Sequence, residues 1–313
     1  MSTRIEWCDE TINPIQDKRK GGMGRGYHCT KCSPGCLNCY AERINKIRGN
    51  GQPFDNSAVE FELIESELAK PLKWKKPKTI FVQSMGDLFH EAVPFDFQKA
   101  AYKTIIESRR HTFLILSKRP DRMLSFHNDL KYFNIEITPK PLLLADNVWH
   151  GLTVCNQEEW DVKKKYFRAI PGKKFLSLEP LLGNIDLELT KVFYEPFFKW
   201  PDSEMQSMAK IDAVILGGES GPGARPLHPD WVRSVRDQCA AAGVPFFFKG
   251  WGEWLSGPKT PLEIGRGEDV VKMYQPGTCH DWKRGLIALR VGKKSAGRLL
   301  DGRTHDDLPW VAR

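Results

Sequence analysis

Six short apolar runs, rich in β-branched and aromatic residues, constrain the fold of this chain more than any other feature. They are TIFVQS (79–84), HTFLILS (111–117), NVWHGLTV (147–154), KKFLSLEP (173–180), IDAVILGGE (211–219) and VPFFFKG (244–250). The stretches between them are long enough for helices, such as residues 95–110 and residues 229–243, and Gly243 closes the second of these. Nearly continuous apolar strands that alternate with helices indicate a parallel sheet covered on both faces.

The number of strands favours one α/β architecture. With one more strand expected near Ile5 and Trp7, the count is six or seven. This predicts a partial or distorted (β/α) barrel of about six parallel strands rather than a closed eight-fold barrel. An open doubly wound sheet is the alternative. Both architectures place functional residues at the carboxyl ends of the strands.

Polar side chains follow each of the six runs. In chain order they are Ser84 with Asp87, Ser117 with Lys118 and Arg119, Asn156 with Gln157, Glu179, Glu219 with Ser220, and Lys249 with Trp251. Helix caps and turns explain single residues of this kind. Six sets at equivalent strand ends instead predict a polar rim around a cofactor.

Four of the eight cysteines lie within eleven positions, in the order Cys29, Cys32, Cys36 and Cys39. The last three have the spacing C-x3-C-x2-C, which suits a four-iron, four-sulfur cluster with one open iron. Because cytosolic disulfides are uncommon, we favour a metal site, and a structural zinc ion on all four cysteines is the alternative. Tyr40 follows the last cysteine at the start of a predicted helix, which makes it a cofactor-binding candidate. The scattered Cys8, Cys155, Cys239 and Cys279 receive no role.

Longer motifs surround these cysteines. IEWCDETINP, CxxSPGCxNCYAER, FVxSMGDLFHE, LxLSKRP, FLSLEPLLG, GGESGPGARP and VPFFFKGWG occur in this order. With them the chain resembles the phage-associated three-Cys-motif family of radical-S-adenosylmethionine-like proteins from about residue 4 to residue 254, and GKKSAGRLLDGR agrees near the end. The resemblance implies a 4Fe–4S cluster whose open iron binds the amino and carboxylate groups of S-adenosylmethionine. It also implies reductive cleavage to a 5′-deoxyadenosyl radical, with an electron donor as a partner.

One departure from the family concerns the first cluster ligand. Members usually have another residue where this chain has Cys32, so the family triad maps to Cys29, Cys36 and Cys39. The commoner superfamily spacing would use Cys32 instead. We therefore keep both as candidate metal ligands and favour Cys29.

The resemblance also implies contacts for S-adenosylmethionine. The glycine-rich end at Gly217, Gly218 and Glu219 resembles the segment that contacts the methionine amino group, but that segment usually lies one strand after the cysteines. In this chain Ser84 and Asp87 occupy that earlier position, so they are our candidates for the amino contact. Glu219 is then a candidate for binding ribose or substrate.

Two further rim positions carry candidate cofactor-binding residues. Lys118, beside Arg119, is placed to neutralise the methionine carboxylate or a substrate phosphate. Glu179 ends a strand, where a buried carboxylate would require a partner, and we expect Lys249 to supply it.

Charge and hydropathy suggest partners and location. The net charge of +8 favours polyanions, so nucleic acid is the expected partner, with a merely solvated basic surface as the alternative. No apolar run is long enough for a membrane helix, and MSTRIEWCDE has no apolar stretch typical of a secretory signal, so we expect a cytoplasmic protein without membrane contact. We expect a barrel over residues 1–254, with an insertion at 183–210, and a basic extension over 255–313.

These observations lead to one main functional hypothesis and two alternatives. The main hypothesis is a radical S-adenosylmethionine enzyme that repairs or modifies nucleic acid. The first alternative is a zinc or iron–sulfur module that binds nucleic acid without catalysis. The second is a radical enzyme acting on a peptide or a small metabolite.

Overall fold

The computed structural model describes residue 3 and residues 5–21, 24–132, 146–190, 210–258, 277–283 and 285–311. Most of the predicted insertion, residues 191–209, lies outside the described residues. The described strands are β1 (Glu10–Ile12), β2 (Ile15–Gly21), β3 (Gly24–Gly26), β4 (Phe61–Leu63), β5 (Thr79–Val82), β6 (Thr112–Ser117), β7 (Val148–Thr153), β8 (Lys173–Leu178), β9 (Ala213–Gly217), β10 (Phe246–Gly250), β11 (Trp254–Pro258), β12 (Cys279–Lys283) and β13 (Leu286–Arg290).

Seven parallel strands form the main sheet in the order β1-β5-β6-β7-β8-β9-β10, which curls into a half-barrel. Each of the six apolar runs contains one of these strands, so the predicted α/β class and parallel sheet are confirmed. The remaining strands form two small antiparallel sheets, β3-β2-β4 and β11-β13-β12.

The first strand lies later in the chain than we predicted. It spans Glu10–Ile12, whereas Ile5 and Trp7 precede it. Trp7 lies in a turn, is only 3% exposed and packs its ring 4.8 Å from that of Phe81. An apolar residue that fills a core from a turn gives the same local pattern as a strand residue, which explains the error.

The helices between the strands are α1 (Tyr40–Arg48), α2 (Glu65–Leu68), α3 (Lys70–Lys73), α4 (Phe95–Glu107), α5 (Pro120–Tyr132), α6 (Gln157–Arg168), α7 (Pro229–Ala242) and α8 (Lys293–Ala296). As predicted, α7 stops at Gly243, whose φ of 63° places it in the left-handed region that ends helices. None of the helices in the described ranges has the length and apolar character needed to cross a lipid bilayer.

Alternation along the strands gives the sheet two different faces. The outer face packs against helices in the larger core cluster. At the amino ends of the strands the inner face is apolar, and it is covered by Trp7, Leu308 and Trp310. At the carboxyl ends, the inward positions carry Lys118, Thr153, Glu179 and Lys249 instead. The half-barrel is therefore plugged at one end and polar at the other.

The C-terminal residues return to the half-barrel after the sheet β11-β13-β12. Trp310 packs 4.8 Å from Trp149, and its indole Nε1–H donates to the Trp7 carbonyl over 3.1 Å. Phe248 donates its backbone N–H to His305. The predicted division at residue 254 stays a prediction, but these contacts show that residues near 310 complete the core of the half-barrel.

A buried polar cluster lies behind the sheet, on its helical side. His150 is 3.0 Å from the Tyr102 hydroxyl and 3.1 Å from His127. Nearby, the fully buried Lys174 donates to the backbone carbonyls of Ile170 and Gly172. Burial lowers the pKa of Lys174 to about 8, because an ammonium group in the interior has lost its hydration.

We predict that Lys174 makes the free energy of unfolding rise with pH above pH 8. The folded protein releases this proton near pH 8 and the unfolded chain near pH 10.5, so the unfolded state binds more protons between these values. The rise amounts to about 3 kcal/mol if the whole shift is expressed. Urea unfolding from pH 7.5 to pH 10 would measure it.

Lys174→Met removes this titration, whereas Lys173→Met, on the same strand, is the matched control and should keep it. Parallel pH profiles for the wild type and Lys174→Met would contradict the assignment.

Candidate metal and cofactor site

The cysteine loop, residues 29–39, joins the small sheet β3-β2-β4 to helix α1. Its centre is a short 3₁₀ turn at Pro34–Cys36, which Ser33 begins by accepting a hydrogen bond from the Gly35 N–H over 3.1 Å. Cys39 then directly precedes α1. Proline and a small hydroxyl residue favour such a turn, so the sequence bends the chain tightly between its cysteines.

All four cysteines of the loop line one cavity at the carboxyl ends of the strands, which we call the thiol cavity. Its volume is about 110 Å³, and its other lining residues include Tyr40, Ser84, Asp87, Lys118 and Arg119. The structure thus brings together the predicted metal ligands and four of the seven predicted cofactor-binding residues. Glu179, Glu219 and Lys249 do not line this cavity.

Lys118 is the central charge of the thiol cavity. Burial lowers the pKa of its ammonium group, but the negative charges of the Cys36, Cys155, Cys39 and Cys29 thiolates together raise it by a larger amount. Within the described part of the chain, no hydrogen-bond acceptor is assigned to this ammonium group. Lys118 is therefore available to pair with thiolates or with an anionic ligand in the cavity.

The thiols differ in how easily they lose a proton. A hydrogen bond from Cys32 lowers the pKa of Cys36 against the effect of burial, and the Lys118 charge lowers it further. The same hydrogen bond and burial raise the pKa of Cys32. Burial raises the pKa of Cys29 to about 12. Because metals bind thiolates, Cys36 is better prepared to act as a ligand than Cys29 or Cys32.

Arg119 fastens the first part of the cysteine loop to the sheet. Its guanidinium lies 3.1 Å from Asp87 and 2.8 Å from Glu91, and it also donates to Thr30 and, over 3.7 Å, to the Cys29 thiol. Arg119 and Asp87 are only 4% and 7% exposed, so this pair is shielded from water. The planar guanidinium makes all these contacts at once, which fixes the position of Cys29.

Asp87, which we predicted to contact the methionine amino group, is already hydrogen-bonded to several groups of the protein. Besides Arg119, its carboxylate accepts bonds from the Ser117 hydroxyl and from the backbone N–H groups of Lys118 and Phe89. Ser84, by contrast, places its hydroxyl 3.3 Å from the Asn13 side chain. Contact of either residue with S-adenosylmethionine stays a prediction, but the structure shows that Asp87 positions Lys118 and Arg119.

Arg225 fastens the second part of the cysteine loop. Its guanidinium bonds to Glu219 over 2.6 and 2.8 Å and donates to the Pro34 carbonyl over 3.0 Å. Burial raises the pKa of Glu219, but its bonds to Arg225 lower it by more, so Glu219 is held as a carboxylate. Asn38 adds a bond to the Gly223 carbonyl over 2.8 Å. The segment after β9 therefore holds the cysteine loop in place through these hydrogen bonds. Binding of ribose or substrate by Glu219 stays a prediction.

The predicted pairing of Glu179 and Lys249 is confirmed by a distance of 2.9 Å between Lys249 Nζ and Glu179 Oε1. Tyr40 lies near this pair and donates its hydroxyl to the Ser84 carbonyl. Burial and the nearby charges of Cys39 and Glu179 raise the pKa of Tyr40. Tyr40 thus lines the thiol cavity on the side of this ion pair, and Glu179 and Lys249 lie beyond it.

One of the six polar sets, Asn156 with Gln157, and one member of another, Trp251, have an ordinary structural role. Asn156 is the N-cap of α6 and accepts a bond from the Glu159 N–H over 3.0 Å, and Gln157 bonds to Asp161 and Asp186. Trp251 packs on Phe248 and donates to the Leu299 carbonyl. Helix capping and core packing account for these residues.

Sequence reasoning missed Cys155 and Arg225. Cys155 is fully buried, its sulfur lies 3.5 Å from the Ser33 hydroxyl, and a methyl group added at Gly35 would lie 2.4 Å from that sulfur. Cys155 is inward-facing two positions after Thr153, so strand alternation could have placed it at the rim. The sequence PGARP indicates a turn, but it does not predict which residues Arg225 would bond to.

The donor set fits a thiolate-bound cluster. Soft sulfur ligands face one cavity, and Lys118 and Arg119 supply positive charge beside them. Among the described residues, no three His, Cys, Asp or Glu side chains are grouped as a single metal ion would require. Cluster ligands each bind a separate iron, so they need not converge on one point.

The structure thus defines an α/β protein with a cysteine-lined cavity at the carboxyl end of a curled half-barrel. The chain belongs to a family described as "Protein of unknown function (DUF5131)", whose model matches residues 2–309. Neither curated proteins nor solved structures gave a match.

We predict that Gly35→Ala destabilises the protein because its new methyl group would overlap the Cys155 sulfur. Gly35 has no positive φ, so the penalty is steric, and overpacking of this kind costs about 1–3 kcal/mol. Thermal unfolding measures the effect.

Cys155→Ala removes the overlapping sulfur, so it should recover most of the loss in the double variant. Equal destabilisation by Gly35→Ala in the presence and absence of Cys155 would show that this contact is not the cause.

Proposed function

We propose that this protein is a radical S-adenosylmethionine enzyme that binds a 4Fe–4S cluster on its cysteine loop and modifies or repairs nucleic acid. The observation that carries the proposal is that four thiols and an ammonium group without an assigned acceptor share one cavity at the carboxyl rim of a parallel half-barrel. When bound, a cluster of this kind supplies the electron that cleaves S-adenosylmethionine to a 5′-deoxyadenosyl radical. The proposal includes an electron donor as a partner and a cytoplasmic location.

Cys29, Cys36 and Cys39 are the cluster ligands in this proposal. The negative charges of all three raise the pKa of the Lys118 ammonium group, and Arg119 donates a hydrogen bond to the Cys29 thiol. Cys32 is the most exposed of the four cysteines. Cys32 then lies beside the ligands, on the exposed side of the loop, and is not a ligand itself.

Lys118 binds the carboxylate of S-adenosylmethionine in this proposal, and the apolar lining excludes water. Phe54, Phe81 and Leu116 line the cavity next to the thiols. In such a low-polarity setting, an ion pair between an ammonium group and a carboxylate is stronger than in water. Asp87 contributes by fixing the backbone of Lys118, over a distance of 3.2 Å.

The first test is the metal content of anaerobically reconstituted protein. We expect about four irons and four sulfides per chain in the wild type. Cys36→Ala and Cys39→Ala should lose the cluster, because each removes a ligand. Cys29→Ala should lose it and Cys32→Ala should keep it.

Cys279→Ala, in the separate sheet β11-β13-β12, is the matched control and should keep the cluster. Tightly bound zinc without iron would instead support a non-catalytic binding module. Loss of the cluster in Cys32→Ala but not in Cys29→Ala would reverse our assignment of the first ligand.

The second test concerns S-adenosylmethionine. Addition of S-adenosylmethionine should change the paramagnetic resonance spectrum of the reduced cluster, and 5′-deoxyadenosine should form under strong reductant and increase with DNA or RNA. Lys118→Met should weaken S-adenosylmethionine binding at least about tenfold, since it leaves the carboxylate unpaired.

Lys46→Met, on the solvent-exposed side of α1, should bind S-adenosylmethionine like the wild type. An intact cluster that neither responds to S-adenosylmethionine nor yields 5′-deoxyadenosine would refute the proposed activity.

A further inference from the structure

We propose that a second cavity beside the thiol cavity binds a backbone phosphate of the nucleic-acid substrate. This basic pocket has a volume of about 170 Å³ and is lined by Glu6, Ser220, Lys249, Lys293, Arg298 and several glycines. Its assignment to nucleic acid, rather than to another phosphate ester, rests on the proposed function. The cavity itself is independent of the cysteines.

The basic pocket adjoins the thiol cavity through one ion pair. Lys249 lines the basic pocket, and it is bonded to Glu179, which lies near Tyr40 on the boundary of the thiol cavity. Both cavities therefore open at the carboxyl rim of the same sheet. A phosphate held in one would place the neighbouring nucleotide next to the other.

Three cations from separate parts of the chain converge on the basic pocket. Lys249 belongs to β10, Lys293 begins α8, and Arg298 follows α8. Glu6 is the only carboxylate among the described lining residues, and Glu179 and Asp306 pair with Lys249 and Arg298 from outside the lining, so three carboxylates balance the three cations. A phosphodiester in the pocket would be bound by N–H donors of these cations that their carboxylate partners leave free.

The cations keep hydrogen-bond donors free for a ligand. Lys249 bonds to Glu179 over 2.9 Å and Lys293 to Glu6 over 3.1 Å. Each ammonium group has three N–H donors. Among the described residues, Glu179 is the acceptor for Lys249 and Glu6 is the acceptor for Lys293. Lys293 is 53% exposed and Lys249 is 27% exposed, so a ligand can reach both.

Arg298 contains a buried donor without a partner. Its terminal nitrogen bonds to Asp306 and to the Phe248 carbonyl, and its guanidinium lies over the Phe247 ring. Its Nε–H is buried, and no acceptor for it exists among the described residues. Arg298 is nevertheless 37% exposed and lines the basic pocket, so a ligand there would contact the exposed part of its side chain rather than the buried Nε–H.

Main-chain atoms form much of the remaining wall. A side chain at Gly218 would lie 2.0 Å from the Trp251 carbonyl, and one at Gly252 would lie 2.1 Å from the Glu219 carbonyl. The glycines therefore let the segments after β9 and β10 approach each other closely. This close approach leaves the wall without bulky side chains, which suits a ligand bound by cations and peptide groups.

Equilibrium binding of fluorescein-labelled single-stranded DNA and RNA to the full chain would test this assignment. We expect Lys293→Gln to weaken binding about tenfold at low salt and to reduce the salt dependence by about one counterion. Lys294→Gln is the matched control, because Lys294 is the next residue of α8 but does not line the basic pocket. It should bind nearly as tightly as the wild type.

Arg298→Gln should also weaken binding, and its thermal unfolding must be compared because Arg298 bonds to Asp306. Cys36→Ala separates the two proposals: it abolishes the cluster but should bind the oligonucleotide normally. Failure of radical chemistry with binding through Lys293 intact would therefore refute only the proposed activity.

Two results would overturn the assignment. Equal losses for Lys293→Gln and Lys294→Gln would show a diffuse basic surface without a phosphate pocket. Competition by inorganic phosphate or a mononucleotide at the concentration of the oligonucleotide itself would show that the pocket takes a small phosphorylated molecule instead of a strand.

Discussion

The buried ion pair between Arg119 and Asp87 is the interaction on which the architecture of the site depends. It joins the end of β6, the segment after β5 and the cysteine loop through one guanidinium group. Removing one member of a buried pair leaves a charge without compensation, which costs far more than losing an exposed ion pair. The loop is therefore fixed by the sheet before any metal or cofactor arrives, and Arg225 with Glu219 repeats this arrangement on its other side.

Charge compensation explains why the residues around the thiols differ so strongly from the rest of the inner face. Several ionised thiols in one small cavity would repel each other, and Lys118 and Arg119 provide the opposing charge. The apolar plug formed by Trp7, Leu308 and Trp310 lies at the other end of the half-barrel. One sheet thus has an apolar core at its amino ends and thiol and charged groups at its carboxyl ends.

Much of the sheet could be predicted because its strands are buried on both faces and therefore have continuous apolar runs. The pairing of Glu179 with Lys249 was also predictable, since both residues are inward-facing at strand ends. Trp7 was misjudged because a turn residue that fills a core has the local signature of a strand residue. The partners of Asp87 and Glu219 could not be foreseen, because Arg119 and Arg225 reach them through loop geometry that local sequence does not encode.

The bond between Trp310 and Trp7 joins positions 303 residues apart, and it closes the plugged end of the half-barrel. A ribosome makes the chain from its amino end, so all seven strands are synthesised before Leu308 and Trp310, which cover part of their inner face. Such distant contacts form late and slowly. Until then the part of the concave apolar surface that Leu308 and Trp310 cover stays exposed, and completion of this fold is therefore an event that follows synthesis of residue 310.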